Sequence, residues 1–289
     1  MSKTWFITGT SSGLGRVMTE RLLDRGDRVA ATVRREGALA DLQKKHPDRL
    51  DVMRLDLTDT KEIRATVDRA FQRSGRIDVV VGNAAYGLVG AAEELTDAQI
   101  DQQISTNLTG SIQFIRAVLP HLRRQGGGRI VQVSSEGGQI AYPSFSLYHA
   151  TKWGIEGFVE SVAQEVALFG IDFVIAEPGP TATNFGAGIV MAPPNVAYEK
   201  TPAGAVRRAV GERSFEIKGD AGRTVDALVV AADSMKPPFR LVLGSTAYTN
   251  LTRGLARRLA EIEAQRDVAF SADRDAVAPA AADPSVPRP

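Results

Sequence analysis

Residues 4–26 read TWFITGTSSGLGRVMTERLLDRG, and this stretch decides the fold. It begins with an apolar β-type run, continues into a glycine-rich loop and ends in a helix-like segment. The apolar side chains of that last segment recur at helical spacing: Val17, Met18, Leu22 and Leu23. Gly26 stands where helices commonly end in the left-handed conformation. Strand, loop and helix in this order predict a phosphate-binding turn, because N–H groups at a helix start attract anions.

The glycines of the loop are spaced G-x-x-x-G-x-G, at Gly9, Gly13 and Gly15, rather than in the more familiar G-x-G-x-x-G pattern. Glycines allow a pyrophosphate to approach the backbone N–H groups closely. The loop therefore favours dinucleotide binding, although a purely structural turn with the same glycines stays open.

Apolar strand-like runs and amphipathic helix-like stretches alternate along the rest of the chain. The predicted strands cover residues 28–33, 50–55, 77–82, 129–134, 171–176 and 239–243. The predicted helices cover residues 60–74, 96–125, 146–169, 224–232 and 250–267, the second interrupted near Asn107 and Gly110. This alternation predicts an α/β fold, with a doubly wound (Rossmann-like), mainly parallel seven-stranded sheet in a single domain.

In doubly wound sheets, ligands bind beyond the carboxyl ends of the strands. Five candidate site residues follow predicted strands at such ends: Gly9, Asp56, Asn83, Ser135 and Pro178. We therefore expect a single site where these strand ends meet.

Arg34 and Arg35 follow the second predicted strand, where the adenosine ribose of a dinucleotide lies in such folds. An acid at that place accepts from a free ribose 2′-hydroxyl, whereas an arginine pairs with a 2′-phosphate. Neither Val33 nor the two residues after it is acidic. The pattern favours NADP(H) over NAD(H), unless both arginines are simply exposed to solvent.

Ser135, Tyr148 and Lys152 lie thirteen and four residues apart, and the last two share one face of a predicted helix. An ammonium near a phenol favours the phenolate, which lowers a phenol pKa that starts near ~10. The three side chains therefore predict acid–base chemistry. A lone Tyr-x-x-x-Lys pair is more often two solvated side chains, so the prediction depends on the glycine loop upstream and on PGPTAT (178–183) downstream.

Residues 184–218 break the alternation, because glycines and prolines interrupt short apolar pieces: Gly186, Gly188, Pro193, Pro194 and Pro202. Their place beside the predicted site indicates a substrate lid, with a merely decorative excursion as the alternative. Residues 1–270 are predicted to form the dinucleotide-binding and catalytic domain. Residues 271–289 are rich in Ala and Pro and are predicted to be a mobile tail.

The composition of the 289 residues is that of a soluble globular protein, with 43% hydrophobic and 24% charged residues. Because 35 basic residues nearly balance 34 acidic ones, no nucleic-acid partner is expected. There is no cysteine, and the three histidines are scattered, so no metal site is expected: His46, His121 and His149. With no apolar stretch long enough for a membrane helix and no secretory leader, we expect a cytoplasmic protein.

With these residues assembled, the chain resembles the short-chain dehydrogenase/reductase family over residues 3–243. The matching motifs are TGTSSGLG (8–15), Asp56 after the third strand, NAAYG (83–87), Asn107, Ser135, YHATK (148–152) and PGPTAT (178–183). One departure is Ala85, which stands where the family often has a glycine and slightly narrows the space near the nicotinamide.

The resemblance implies roles for four catalytic residues. Tyr148 is the general acid in ketone reduction, and Lys152 lowers its pKa and holds the nicotinamide ribose. Ser135 hydrogen-bonds the substrate carbonyl, and Asn107 anchors a water that passes protons to Lys152. Two hydroxyl donors then meet the charge that grows on the carbonyl oxygen.

The resemblance also implies a cofactor pocket with Gly9, Ser11, Ser12 and Leu14 around the phosphates and ribose, Asp56 at the adenine, Asn83 and Ala84 at the adenosine side, and Pro178, Thr181 and Thr183 at the nicotinamide. The full expected cofactor set adds Gly13, Gly15, Arg34, Arg35, Leu57, Ala85, Tyr148, Lys152 and Gly179. A homodimer or homotetramer, joined through the helices of residues 96–125 and 146–169, is implied by the resemblance alone.

The leading hypothesis is an NADPH-dependent carbonyl reductase or alcohol dehydrogenase. Apolar residues near the site suggest a bulky or aromatic ketone or secondary alcohol, unless they pack only against one another: Ile140, Tyr142, Phe145, Phe185, Ile189, Val190, Met191 and Tyr198. Two alternatives stay open. One is a catalytically silent NADP(H)-binding regulatory protein, and the other is a sugar-nucleotide epimerase or dehydratase, for which the carboxyl-terminal region leaves little room.

Overall fold

Seven strands form one sheet in the computed structural model, which describes residues 2–274. The strands are β1 (Thr4–Ile7), β2 (Arg28–Val33), β3 (Leu50–Arg54), β4 (Val79–Gly82), β5 (Gly128–Val133), β6 (Ile171–Pro178) and β7 (Arg240–Leu243). Their spatial order is β3-β2-β1-β4-β5-β6-β7, and every pairing is parallel. The predicted doubly wound seven-stranded sheet is confirmed.

Helices cover both faces of the sheet. They are α1 (Gly13–Arg25), α2 (Ala40–Lys45), α3 (Thr60–Ser74), α4 (Asp97–Gln103), α5 (Gly110–Arg124), α6 (Ser146–Val166), α7 (Pro202–Glu212), α8 (Ala221–Asp233), α9 (Ser245–Glu263) and α10 (Arg266–Ser271). Helices α3, α5 and α6 pack on one face, and α1, α2 and α8 pack on the other. Neighbouring residues of β1 show the alternation, because Phe6 joins the first core while Trp5 and Ile7 join the second.

The central strands are buried on both faces, as the sequence predicted. All four residues of β4 are buried, because each face of the strand lies under a helical layer. The strand order reverses between β1 and β4, because the chain continues from β1 to β2 and β3 on one side of the sheet and from β4 to β5, β6 and β7 on the other. Such a switch point leaves a crevice at the carboxyl ends of the strands.

Helix α1 ends as the sequence predicted, but it begins at Gly13, inside the glycine loop. Gly26 has φ 99° and caps the helix, its N–H donating to the carbonyl oxygens of Leu22 and Leu23. At the other end the first N–H groups of α1 have no partner within the helix, and they face the crevice beyond β1. The fold therefore directs a helix N-terminus at the switch point.

The interruption predicted near Asn107 is a π-helical segment, Ile104–Thr109, between α4 and α5. The extra residue per turn changes the direction of the side chains without ending the helix. Asn107 is buried as a result, and its amide Nδ2 donates to the carbonyl oxygen of Tyr86 at 2.8 Å. The Oδ1 atom accepts from the N–H of Tyr86 at 3.1 Å.

The stretch at residues 184–218 contains more regular structure than predicted. Helix α7 begins directly after Thr201, whose side chain accepts from the N–H of Gly204. Pro202, which the sequence analysis took as an interruption, occupies the first turn of this helix, where proline is favoured. Val190–Met191 pairs with Leu88–Val89, so the stretch is joined to the loop after β4.

A buried ion pair adds a second connection between this stretch and the loop after β4. Glu94 pairs with Arg207 of α7 at 2.5 Å and accepts from the N–H of Asn195 at 2.7 Å. The side chain of Glu94 is 1% exposed, so this acid is a fixed part of the interior. The role of the stretch as a substrate lid stays a prediction.

The carboxyl-terminal helix is longer at its start than predicted and is divided into α9 and α10 near Ala264. The predicted mobile tail begins at Ser271, where α10 ends, and its residues 275–289 lie outside the described residues. No helix in residues 2–274 is long and apolar enough to cross a membrane.

Candidate active site

A cavity of about 320 Å³ lies at the carboxyl ends of the strands. It extends from the end of β2, across the glycine loop, to the start of α6. Most of the predicted site residues line it: Gly9, Ser11, Ser12, Gly13, Leu14, Arg34, Asp56, Leu57, Asn83, Ala84, Ala85, Ser135, Tyr148, Lys152, Pro178, Thr181 and Thr183. The strand ends therefore bring together the residues that the sequence analysis placed in one site.

Four predicted site residues do not line the cavity: Gly15, Arg35, Asn107 and Gly179. Gly15 packs beneath the loop. The side-chain amide of Asn107 is hydrogen-bonded to the backbone N–H and carbonyl oxygen of Tyr86. Gly179 lies against α9, where an added Cβ would be 3.0 Å from the Ala247 nitrogen. Arg35 is exposed.

The cavity also has lining residues that the sequence analysis did not select: Thr32, Val33, Leu55, Tyr86, Gln102, Thr106, Val133, Ser134, Asn184 and Gly188. Gln102 and Thr106 lie one helical turn apart, and the Gln102 amide donates to the Thr106 hydroxyl at 3.1 Å. The π-helical turn brings this pair to the cavity, and no motif indicated it. Val33 and Leu55 stand at or just beyond strand ends, and this position in the sequence could have indicated them as lining residues.

The glycine loop fits a phosphate group because two glycines keep side chains out of it. Gly9 has φ 70°, and an added Cβ would lie 2.8 Å from the Ala84 Cα atom. At Gly15 an added Cβ would overlap the Gly9 carbonyl oxygen and lie 2.6 Å from Asn83 Nδ2. Only glycine permits this close approach of the β1 and β4 loops. The start of α1 thus remains open to an anion.

Thr8 and Asn83 hold the two loops together. The Thr8 hydroxyl accepts from the N–H groups of Asn83 at 2.9 Å and Ala84 at 3.1 Å. The Asn83 amide Nδ2 donates to the carbonyl oxygens of Thr8 at 2.9 Å and Gly9 at 3.1 Å. Asn83 therefore uses its amide donors to fix the shape of the cavity wall.

Arg34 and Asp56 lie at the β2–β3 end of the cavity. Hydrogen bonds from the backbone and hydroxyl of Thr58 lower the pKa of Asp56 despite partial burial, and the charge of Arg34 lowers it further. Within residues 2–274, Arg34 makes no ion pair. Its guanidinium is therefore free to meet an anion in this part of the cavity.

Ser135 follows β5 in a tight turn. Its hydroxyl accepts from the N–H of Gly137 at 3.1 Å, and its carbonyl oxygen accepts from the N–H of Gly138 at 2.9 Å. The Ser135 hydroxyl also lies close enough to the Tyr148 phenol to oppose the rise in that phenol's pKa that burial causes. The turn thus directs a hydroxyl from the strand end at the phenol on α6.

Tyr148 and Lys152 lie on one face of α6, with the lysine Nζ 5.6 Å from the centroid of the tyrosine ring. The tyrosine is 8% exposed and the lysine 3%. Lys152 Nζ donates to the carbonyl oxygen of Val133 at 3.0 Å. The predicted convergence of Ser135, Tyr148 and Lys152 at one place is therefore seen.

Burial governs the protonation of this pair. It raises the pKa of Tyr148 to about 12, opposed by the hydrogen bond with Ser135. It lowers the pKa of Lys152 to about 8, opposed by the charge of Glu156. Removal from water is the largest cause of both shifts, and the expected lowering of the phenol pKa by Lys152 stays a prediction. At neutral pH the phenol holds its proton, as a proton donor must.

Aromatic rings surround Tyr148. The ring centroids of Phe145 and Phe185 lie 6.0 and 6.1 Å from it, and Tyr142 packs against Phe145 at 5.5 Å. Val190 and Met191, which the sequence analysis also proposed for the substrate pocket, are exposed. Among the apolar side chains proposed for the substrate pocket in residues 184–218, only Phe185 lines the cavity, and Asn184 and Gly188 of the same stretch line it too.

His149 is a core residue that fastens the turn after Ser135 to α6. Its Nδ1 bonds the Gly137 carbonyl oxygen at 2.8 Å, and its Nε2 accepts from the N–H of Tyr142 at 3.2 Å. Only the neutral ring with hydrogen on Nδ1 makes both bonds. Burial lowers the pKa of His149, in agreement with this neutral form.

We expect acid to destabilise the protein through His149. Because the folded pKa lies below the unfolded value, the unfolded chain binds the proton more tightly as pH falls below ~6.5, and the stability is lost. Going from pH ~7.5 to ~5.5 is expected to lower the melting temperature by about 2–4 °C more in the native protein than in His149→Gln, which keeps one donor and one acceptor. The measurement is thermal unfolding at each pH. An equal change of melting temperature with pH in both proteins would contradict this expectation.

A family model and several known proteins match most of this chain. The family model described as short chain dehydrogenase matches residues 3–192. The chain is 38% identical over 250 residues to Oxidoreductase BOA17 of Botryotinia fuckeliana, covering 86% of this chain and 90% of that protein. It is 33% identical over 199 residues to human 17-beta-hydroxysteroid dehydrogenase type 1, covering 66% of this chain and 60% of the relative.

A solved structure agrees over nearly the whole length. The crystal structure of a short-chain dehydrogenase from Streptomyces avermitilis superimposes with a TM-score of 0.87 at 38% identity, covering 94% of this chain and 98% of that one. Fold and cavity together define a Rossmann-like α/β protein with its cleft at the switch point of the sheet. The chain belongs to the short-chain dehydrogenase family.

Proposed function

We propose that the protein is an NADPH-dependent carbonyl reductase or alcohol dehydrogenase. It interconverts a ketone and a secondary alcohol, and its catalytic residues are Ser135, Tyr148 and Lys152. The observation that carries this proposal is the meeting of the Ser135 hydroxyl and the buried, protonated Tyr148 phenol in the cavity that the glycine loop also lines.

The carbonyl oxygen of the substrate lies between Ser135 and Tyr148 in this proposal. Both hydroxyls donate to it, and Tyr148 gives up its proton as negative charge develops on the oxygen. The charge of Lys152 stabilises the phenolate that remains, because the pair lies in a region of low polarity. NADPH supplies the hydride when bound.

The cofactor fits the cavity because the start of α1 offers free N–H groups and no side chain fills the glycine loop. We propose that the loop and Ser11 and Ser12 hold the phosphates, Arg34 holds the 2′-phosphate, and Lys152 holds the nicotinamide ribose. Pro178, Thr181 and Thr183 also line the cavity and would hold the nicotinamide. The role of Asn107 as anchor of a proton-carrying water stays a prediction.

A bulky apolar ketone is the proposed substrate class. Phe145 and Phe185 pack around the Tyr148 ring and offer an apolar wall beside the reactive phenol. The relative named for a hydroxysteroid supports a substrate of this size and polarity.

The test is NADPH oxidation by the purified protein, followed by loss of absorbance against a panel of ketones, β-keto esters, steroids and sugars. We expect turnover with at least one bulky ketone and little with sugars. Tight NADPH binding without oxidation by any substrate class would instead support the catalytically silent regulatory protein. That alternative has no structural feature in its favour, because Tyr148 and Lys152 are both present.

We expect the rate of ketone reduction to fall as pH rises above about 8, because Lys152 loses its proton there while Tyr148 keeps its own up to about 12. The slope should correspond to one proton, so the rate falls about tenfold per pH unit beyond the midpoint. The measurement is kcat/KM for the ketone against pH at saturating NADPH. A rate that is constant up to pH ~10 would contradict the assignment.

A homodimer or homotetramer is part of the proposal. Helices α5 and α6 carry a groove with apolar residues, which suits contact with a second copy: Leu119, Pro120, Phe158, Val162, Val166 and Phe169. Size-exclusion chromatography coupled to light scattering measures the mass of the oligomer and therefore the number of copies in it.

A further inference from the structure

A buried cluster of charged residues lies directly behind the catalytic residues, and the proposed mechanism does not use it. Glu156 stands one helical turn beyond Lys152 on α6, and its side chain is 3% exposed. Glu177, at the end of β6, is 0% exposed. Buried acids of this kind are rare unless they are paired.

Arg240 of β7 pairs with both acids. Its Nη1 donates to Glu156 Oε2 at 2.5 Å and to Glu177 Oε1. Its Nη2 donates to Glu160 at 2.6 Å, but that acid is 49% exposed and is therefore screened by water. The amide of Gln139 donates to both oxygens of Glu177 at 2.8 Å.

Glu156 also contacts the turn that carries Ser135. The Ser134 hydroxyl donates to Glu156 Oε1 at 2.5 Å. Gly138, at the far side of the same turn, lies so close that an added Cβ would overlap Glu156 Oε1. One carboxylate thus connects the Ser135 turn, the helix of Tyr148 and Lys152, and the edge strand β7.

The buried acids and cations of this cluster act on one another's protonation. Burial raises the pKa of both Glu156 and Glu177, and the hydrogen bonds and positive charge of Arg240 oppose that rise. Lys152 itself faces Tyr148 and Glu156 on its own helix and the Val133 carbonyl oxygen on β5. Glu136 faces Tyr148 from the turn. Glu156 is therefore the carboxylate whose charge acts on Lys152.

We propose that Glu156 is a positioning residue of the hydride-transfer site: it holds the Ser135 turn against α6 through Ser134, and its carboxylate, one helical turn from Lys152, stabilises the ammonium of that lysine. The inference rests on the proposed function. The positioning effect and the charge effect of Glu156 are separable. The hydrogen bond from Ser134 fixes the position of the Ser135 turn, whereas the carboxylate charge acts on the protonation of Lys152.

Three variants separate these effects. Glu156→Gln keeps a hydrogen-bond acceptor but removes the charge that raises the pKa of Lys152. Its alkaline limit for ketone reduction is expected about one pH unit below that of the native protein, because unit charges one helical turn apart interact by at least that much. Ser134→Ala keeps the charge and loses the hydrogen bond, so kcat falls about tenfold with an unchanged alkaline limit.

Glu160→Gln is the matched control, since Glu160 pairs with the same arginine but does not reach Ser134 or Lys152. Its kcat and alkaline limit should equal those of the native protein. NADPH affinity, measured by fluorescence across the same pH range, gives a readout without turnover. As pH is raised, the loss of NADPH affinity should set in at a lower pH in Glu156→Gln than in the native protein, because Lys152 loses its proton at a lower pH in the variant.

Coincident pH profiles of Glu156→Gln and the native protein, in both rate and NADPH affinity, would overturn the inference. Should Glu156→Gln not fold, Glu156→Asp takes its place: the charge remains but the side chain is shorter, so kcat falls while the alkaline limit stays. Native kcat in that variant would overturn the inference equally. A native protein that binds NADPH but reduces no ketone would refute the proposed function alone, because the affinity profiles would still test Glu156.

Discussion

Replacing Tyr148 by Phe is expected to lower kcat for NADPH-dependent ketone reduction by about a thousandfold. The phenol is the proton donor in the proposed mechanism, and general acid catalysis typically contributes 10²–10⁴-fold. The fold should not suffer, because the ring packs between Phe145 and Phe185 and a phenylalanine fills the same space. NADPH affinity should stay within about threefold of the native value, since Lys152 remains in place.

Tyr142→Phe is the matched control for this change. Tyr142 belongs to the same aromatic cluster and lies next to Phe145 and His149, but its hydroxyl is not assigned a role in proton transfer. Its bond to His149 comes from the backbone N–H and survives the substitution. Single-turnover rates measured for both variants decide the question, and retention of more than a few per cent of native turnover by Tyr148→Phe would show that the proton comes from elsewhere.

Replacing Arg34 by Asp is expected to lower the preference for NADPH over NADH by about 10²–10³-fold. The change removes one charge-assisted pair with the 2′-phosphate and puts a second acid beside Asp56, so NADPH meets repulsion where it met attraction. NADH lacks the 2′-phosphate, so its kcat/KM should change little. The ratio of kcat/KM for the two cofactors, measured with the same ketone, reports the change.

Arg35→Asp controls for a general effect of charge. Arg35 is the next residue in the chain and equally exposed, but it does not line the cavity. Its effect on the cofactor ratio should stay within about fivefold, because an exposed charge without direct contact is screened by salt. Equal changes in the two variants would mean that Arg34 makes no specific contact with the cofactor.

The strands themselves, and the strand ends that meet at the cavity, were readable from local patterns. Buried parallel strands are continuous apolar runs, so β4 and β5 were recognisable within one or two residues. The topology rule then placed Gly9, Asn83 and Ser135 at one edge of the sheet without any knowledge of their contacts.

Helix α7 and the difference between Arg34 and Arg35 were not readable in the same way. Pro202 ends one helix as readily as it starts another, and only the capping bond from Gly204 to Thr201 shows which applies. Successive side chains after β2 point in different directions, and the packing of the β2–β3 edge decides which one reaches the cavity.

The sequence by itself determined the fold class and indicated the glycine cradle and the three side chains proposed for catalysis, because each depends on residues close together in the chain. The tertiary structure alone decided how these groups are charged. Burial holds the proton on Tyr148 and weakens its hold on Lys152, and Glu156 meets Ser134 and Arg240 across 22 and 84 residues. Desolvation and long-range ion pairing depend on what surrounds a group in space, and a linear pattern contains no measure of that.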